Sequence, residues 1–382
     1  MKICIWDEAP SHYNLDFFDA LRKNDIDLEV RYIRKISNDR VKEGWSAIES
    51  LPKNELYINP DSIDDAIFSL PDWKERVHII VCNFSITFYI NLIRFLIKNN
   101  VKWIHRGERS GINLIRFVHF NYTAYKMLQP VFFNIKGHKK YANLINKYAL
   151  GVLAIGETAK NDFIKWGVNQ KKIEILPYSE KELLIPAISP LWFHKNEKYF
   201  MYAGSLCKRK GVDVLIEAFH WLNFRNSSIN WKLILIGKDK TNGVYHKLVK
   251  KYNLSDKVIF TAAVDTSEIN KHIYYGDVFV LPTFFDGWGM VLNEAASLKK
   301  PLISTDWAGA SLHLIQNGEN GFAVKAKDIN QLKHAMQFYM DNPDKVKIHG
   351  EKSFSIFQNY TVDACVKKFI SAVNNWMKES SI

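Results

Sequence analysis

Two short segments of this chain hold residue types suited to a ligand that is both phosphorylated and hydroxyl-rich. In the first, a β-type run ends at Gly204, three cations follow (Lys208, Arg209 and Lys210), and Gly211 opens a helical pattern. Cations on a strand-to-helix loop suit a diphosphate, because a helix N-terminus adds unpaired N–H donors and a positive dipole end. A lysine-rich surface loop has the same composition. In the second segment, Asp286 lies in a glycine-bearing loop and Glu294 falls eight residues later, two turns into the following helix. Eight helical residues span about 12 Å, so the two carboxylates could grip different ends of one elongated ligand. That separation is too long for a glycosidase acid–nucleophile pair, which needs about 5–9.5 Å. Gly287 and Gly289 leave the backbone between them open to close approach. Taken singly, Asp286 also reads as a helix cap and Glu294 as part of a solvated face.

The rest of the sequence describes what must position these residues. Its length of 382 residues, against ~150 per domain, predicts two domains. Apolar residues at 47% and charged residues at 24% exclude disorder and low-complexity structure. Strand-type runs alternate with helical patterns at Ile3–Trp6, Leu28–Ile33, His78–Phe84, Val101–His105, Gly151–Ile155 and Lys172–Leu176. Prolines 186 and 190 then interrupt the rhythm. It resumes with strands at Tyr199–Leu206, Lys232–Gly237, Val258–Val264, Val278–Pro282 and Pro301–Thr305. This order predicts two successive α/β units on parallel sheets, with ligands at the carboxyl ends of strands. The expected division is residues 1–180, a linker at 181–198, and a second domain at 199–359. The C-terminal helix 360–382 is expected to return to the first domain.

Several chemistries are absent. No GxGxxG follows a strand, and no GxxxxGK[ST] or HExxH occurs. Asp25-Ile-Asp27 ends a helical pattern, so no metal site is expected there. Cys4, Cys82, Cys207 and Cys365 are far apart, three in strand-type runs and one in a helical pattern. They read as free thiols in a reducing compartment. The start MKICIWDEAP has no apolar core of a signal peptide.

Charge is the unusual quantity. Lys and Arg number 52 against 40 Asp and Glu, a net of +12. Residues 91–150 hold eleven cations (Arg94, Lys98, Lys102, Arg106, Arg109, Arg116, Lys126, Lys136, Lys139, Lys140 and Lys147) and one acid, Glu108. On amphipathic helices such cations attract an anionic membrane, each adding about 1 kcal/mol near an anionic leaflet. A solvated basic face over an ordinary core remains the alternative. No helix-turn-helix, zinc finger or RNP motif is present, so nucleic acid is not an expected partner.

The two segments together resemble the donor domain of the retaining GT-B glycosyltransferases of family 4. The family pattern G-x-L-x-x-x-K-G-[VH]-D falls on Gly204, Leu206, Lys210, Gly211, Val212 and Asp213. Its E-x7-E pattern falls on Asp286 and Glu294, and a following motif on Pro301–Thr305, Gly309, Ile315, Gly318, Asn320 and Gly321. The likeness covers about residues 200–324. It implies two Rossmann-like β/α/β domains facing across a cleft. It also implies transfer of a sugar from a UDP- or GDP-sugar to a glycan or lipid-linked acceptor, as in polysaccharide or lipopolysaccharide synthesis. No cofactor or obligatory metal is implied.

Roles follow from the resemblance. Lys210 and Arg209 are expected at the donor diphosphate, beside Gly204 and Ser205. Glu294 is expected at the ribose, with Ala263 and Val264 by the base. Asp286, with the loop Gly287, Trp288, Gly289, Met290 and Val291, is expected at the transferred sugar. His105 is the family's candidate for reaching that sugar from the first domain, with buried structural histidine as its rival. His12, Arg106, Glu108, Arg109 and Glu157 are acceptor-side candidates. Glu157 has a second reading as a helix-opening acid. Three departures stand out: Ser205 replaces a frequent Arg, Asp286 replaces the first Glu, and Asp7–Tyr13 replaces a usual Gly-Gly loop. The expected setting is the cytoplasm, peripheral on the inner face of the cell membrane. The other readings are a catalytically silent nucleotide-sugar or anionic-polymer binder, or a GT-B epimerase. A phosphorylase would need a pyridoxal phosphate lysine site that the sequence does not offer.

Overall fold

The computed structural model describes residues 1–42, 50–82, 86–135, 137–225 and 230–380. Asn83 and Phe84, in the expected third strand, and Lys136, one of the counted cations, lie outside the described residues. The chain divides into two compact units. The first comprises Met1–Ile36, Ala47–Ser179 and Val362–Ile382, and the second Glu180–Thr361 with Ser37–Ser46.

In the first unit the strands are β1 (Lys2–Asp7), β2 (Asp27–Tyr32), β3 (Glu55–Tyr57), β4 (Val77–Val81), β5 (Trp103–Gly107), β6 (Gly151–Ala154) and β7 (Ile173–Ile175). They form one sheet in the order β3-β2-β1-β4-β5-β6-β7, all parallel. A parallel sheet is covered on both faces, which is why its strands read as near-continuous apolar runs. In β1, Cys4 and Trp6 enter one buried cluster while Ile3 and Ile5 enter the other. The helix Val362–Glu379 completes the second cluster with Val366, Phe369, Val373 and Trp376. Phe369 meets Phe17 edge-on at 5.8 Å. A Cβ on Gly151 would lie 2.3 Å from the Trp376 ring, so only glycine fits beneath that indole.

The second unit has β8 (Lys198–Ala203), β9 (Trp231–Ile236), β10 (Val258–Thr261), β11 (Val278–Leu281), β12 (Leu302–Thr305) and β13 (Gly321–Val324). Their order is β10-β9-β8-β11-β12-β13, again all parallel. Strand order reverses between β8 and β11. In an open α/β sheet the carboxyl ends of the strands at such a reversal are where ligands bind. The two chemistry-bearing segments follow β8 and β11.

Some boundaries differ from the sequence reading. β5 begins and ends two residues later than expected, which places His105 inside the strand. β10 stops at Thr261, leaving Ala263 and Val264 in the loop before the helix Thr266–Tyr275. The short strands β3 and β13 are not signalled by any apolar run. Cys207 lies beyond β8 rather than in it, and all four cysteines are free. Asp27 opens β2 and pairs with Arg76 at 3.0 Å, so it is not the end of a helix. Among the described residues no group of His, Cys, Asp or Glu could hold a metal. No described helix is long and apolar enough to cross a membrane.

Candidate functional site

Glycines set the floor of the site in the second unit. Gly204 ends β8 with φ 144°, and Gly237 ends β9 with φ 142°. A Cβ on Gly237 would stand 2.0 Å from the Gly204 carbonyl oxygen, so the two strand ends touch backbone to backbone. The cations Lys208–Lys210 then wind into one 3-10 turn, closed by Gly211 at φ 68°. Gly211 abuts the loop after β11, where a Cβ would meet the Pro282 oxygen at 2.0 Å. Both the left-handed backbone and the close approach exclude a side chain here.

That contact draws the two loops together. The Arg209 carbonyl accepts from the Phe284 amide at 2.7 Å and from the Thr283 hydroxyl at 3.1 Å. The Arg209 guanidinium donates to the Phe285 carbonyl at 2.7 Å. The Lys210 ammonium donates to the Asp286 carboxylate, and an Arg209 nitrogen stands 3.9 Å from the other carboxylate oxygen. Burial by itself would raise the pKa of Asp286, but the charges of Lys210 and Arg209 prevail and hold it below the usual value.

The backbone around Asp286 is pinned from behind. Its amide donates to the Trp307 carbonyl at 3.0 Å, and its carbonyl accepts from Gly309 at 3.4 Å. A Cβ on Gly309 would be 2.2 Å from the Gly287 oxygen. The following helix starts only at Val291, with Met290 as its cap. Glu294 is therefore in the first turn and not two turns in, and the helical estimate of 12 Å does not apply. Glu294 is buried, at 6% exposure, and Asn293 beside it accepts from the Trp288 indole at 2.8 Å. Trp288 is thereby turned into the core, leaving its backbone as the part near Gly287, Gly289 and Met290. Ala263 and Val264 are half-buried in the loop after β10.

Other glycines and Asn320 of the matched pattern do structural work. Asn320 donates to the Leu314 carbonyl at 2.7 Å and to Ser353 at 3.0 Å, and accepts from the Gln316 amide at 2.7 Å. A Cβ on Gly321 would strike the Leu302 oxygen at 1.8 Å.

The first-unit candidates are a different group. His105 is 1% exposed, its ring edge-on to Phe163 at 5.3 Å. Burial drives its pKa down to about 3, so the ring is neutral. Arg106 is also buried, its guanidinium over Phe17 at 5.5 Å and Tyr178 at 5.4 Å. Glu108, just past β5, is exposed and bonds Tyr178. Arg109 lies against Asp162, which also accepts from the Ser110 amide at 2.9 Å. Glu157 opens the helix Glu157–Trp166 behind Gly156, and His12 begins the helix His12–Lys23, its ring 3.8 Å from that of Tyr13.

Asp7, at the end of β1, was not singled out from sequence. It accepts from the Glu8 amide at 2.7 Å and from Asn14 at 2.8 Å, which closes the turn that lacks Gly-Gly. Burial raises its pKa to about 6 against the pull of these bonds and of Arg106. The signal was available: an acid at the carboxyl end of the first strand.

Residues 188–356 match the family model described as glycosyl transferases group 1. This part of the chain is a group 1 glycosyl transferase domain. Relatives of the domain include the capsular polysaccharide biosynthesis glycosyltransferase CapM of Staphylococcus aureus. It is 26% identical over 250 residues, covering 63% of this chain and 59% of CapM. The putative glycosyltransferase EpsD of Bacillus subtilis is 30% identical over 194 residues, 50% of each chain. This chain therefore spans about half the length of these relatives. Among solved structures, Anabaena HepE in complex with UDP superposes with TM-score 0.74 at 16% identity, covering 98% of this chain and 100% of that one. The apo lipopolysaccharide outer core galactosyltransferase WaaB gives 0.70 at 17%, covering 98% and 99%. The group 1 domain and its partner unit have the two-sheet GT-B fold.

Proposed function

We propose that the chain is a retaining glycosyltransferase. It moves a hexose-type sugar from a UDP- or GDP-sugar to a hydroxyl of a glycan or lipid-linked precursor of a surface polysaccharide or lipopolysaccharide. The single observation that carries this reading is the Lys210–Asp286 pair, joining the loops after β8 and β11 beside Arg209. The second unit takes the donor and the first takes the acceptor. Lys210 and Arg209 neutralise the diphosphate, and Glu294 accepts from the ribose hydroxyls. Ala263 and Val264 border the base, while Asp286 and the amides of Gly287–Met290 hold the sugar.

In the reaction the bond between the anomeric carbon and the diphosphate oxygen breaks, the acceptor hydroxyl oxygen bonds that carbon on the same face, its proton passes to the departing diphosphate, and negative charge collects on that diphosphate. The Arg209 guanidinium, already held by the Phe285 carbonyl, meets that charge without reorganising, which is where electrostatic catalysis gains most, while Lys210 turns to it from Asp286. CapM's name supports a polysaccharide-type acceptor, and the UDP in HepE supports a uridine donor. The cation excess of residues 91–150 supports a place at the inner face of the cell membrane.

The test is incubation with a panel of nucleotide sugars. Slow release of nucleoside diphosphate from one donor, lost in Lys210→Ala and Glu294→Ala, is expected. A donor that binds but is neither hydrolysed nor transferred to any offered glycan acceptor would turn the reading toward a silent binder.

A further inference from the structure

The helix Tyr122–Ile135 buries Tyr125, Gln129 and Phe133 and turns Thr123, Lys126, Met127, Pro130, Val131 and Asn134 outward. A surface helix ordinarily presents charged and polar residues on that side. Here the outward row is half apolar and holds no acid. Met127 is 73% exposed and Val131 55%, and Phe117 at the end of the preceding helix Ile112–Phe117 is 76% exposed. Asn134, at the end of the row, lies on the rim of a cavity of about 480 Å³. Its other polar lining comes from the helix His138–Tyr148: Lys139, Lys140, Asn143 and Lys147. Between Glu108 and Glu157 the sequence contains no Asp or Glu. An apolar stripe thus runs into a three-lysine pocket within an acid-free stretch of sequence.

We infer that this face of the first unit, residues 112–148, docks on an anionic lipid leaflet. Met127, Pro130 and Val131 enter the acyl boundary, and lipid phosphates sit among Lys139, Lys140 and Lys147. Each half of the surface excludes a different rival. A nucleic acid would satisfy the lysines but leave the apolar stripe in water. A second copy of the chain would cover the stripe but bring like charges together. A leaflet offers hydrocarbon a few ångströms beneath phosphate, at the depth an interfacial helix reaches. The inference gives a surface to the membrane location proposed above, but its test does not depend on sugar transfer.

Flotation of the whole chain with vesicles of phosphatidylcholine, with and without about one-third phosphatidylglycerol, reads the binding directly. Binding to the anionic vesicles that weakens as salt rises is expected, with little to the neutral ones. Each cation near the leaflet adds roughly fivefold in partitioning, so the variant K139S/K140S/K147S should lose on the order of a hundredfold. M127S/V131S should weaken binding while keeping the salt dependence. Circular dichroism and donor hydrolysis in free solution should be unchanged in both, since neither variant touches the donor site. Equal binding to neutral vesicles, or a triple-lysine variant that floats like the parent, would overturn the inference. Absence of donor hydrolysis by the parent chain, with its flotation intact, would instead count against the glycosyltransferase reading.

Discussion

Lys210 and Asp286 lie 76 residues apart in sequence and meet as a hydrogen-bonded ion pair at the point where the sheet of the second unit reverses its strand order. They form an ion pair with each other, and in the function proposed above each serves a different part of the donor. A diphosphate arriving at Lys210 must therefore compete with Asp286 for the ammonium, and the sugar hydroxyls must take up the acceptor capacity it releases.

Replacing Lys210 by Met leaves Asp286 with the Gly287 amide and with Arg209, 3.9 Å away. Removing one pre-positioned charge at the leaving group should lower turnover about 10²–10³-fold. Stability should fall by only about 1–3 kcal/mol, the cost of an incompletely satisfied buried acceptor. The double variant K210M/D286N should recover most of the stability and none of the activity. Urea titration and single-donor turnover measure the two effects separately.

Asp7 should give the protein a pH dependence of unusual sign. Its folded pKa of about 6 lies above the ordinary value of 3.8, so the native state holds its proton more tightly than the unfolded chain. Stability from this group is complete below the unfolded value and is lost as pH rises through 6. At about 1.4 kcal/mol per unit, the difference approaches 3 kcal/mol. Asp7→Asn should stabilise the protein at pH 7 and change little at pH 4, as read by denaturant midpoints. Equal effects at both values would show that the carboxyl is not titrating as described.

His105 should behave as a core residue. Truncation to Ala opens a cavity against Phe163 and should cost about 2–4 kcal/mol, with donor affinity unchanged. Its folded pKa, depressed to about 3 from 6.5, adds a second expectation. The unfolded chain protonates first, so the parent loses stability as pH falls below 6.5, and the variant lacks that component. A large rise in donor KM with no loss of stability would restore the direct role that the family resemblance implies.

Gly309→Ala probes the support behind the sugar loop. The new methyl would fall 2.2 Å from the Gly287 oxygen, and backbone must move to admit it. Donor-induced thermal stabilisation should shrink while far-ultraviolet circular dichroism is retained. Gly137→Ala is unsuited as a control because of its φ of 71°, so Ala310→Gly, next in sequence, serves better.

The elements that sequence patterning revealed are those whose burial is symmetrical. β1, β4, β8, β9 and β11 are covered on both faces, so they appear as near-continuous apolar runs, broken only by His78 in β4 and Lys232 in β9. β3 is short and half-exposed, and β13 begins with Gly321, so neither makes such a run. The chemistry near Lys210 was readable because cations before a helix and glycines at strand ends occur within ten residues of each other. The pairing of Lys210 with Asp286 was not, since it depends on two strands adjacent in space and distant in sequence. His105 was misplaced by a strand boundary two residues out, enough to move a side chain from a strand end into the core. Asn320 matched a family pattern for a reason unrelated to ligand: it fastens the end of the helix Ser311–Leu314.

The helix Val362–Glu379 has a consequence for how the chain is made. The indole of Trp376 fills the space over Gly151, and Phe369 closes on Phe17, so the core begun by the first strand cannot be finished until residue 376 has left the ribosome. The second unit, contained between Glu180 and Thr361 apart from one short excursion, has nearly all of its strands synthesised before that moment. Order of synthesis and order of completion are therefore inverted. The unit made first must wait, with one apolar face of its sheet only partly covered by the helix His12–Lys23, while the unit made second can already be folded.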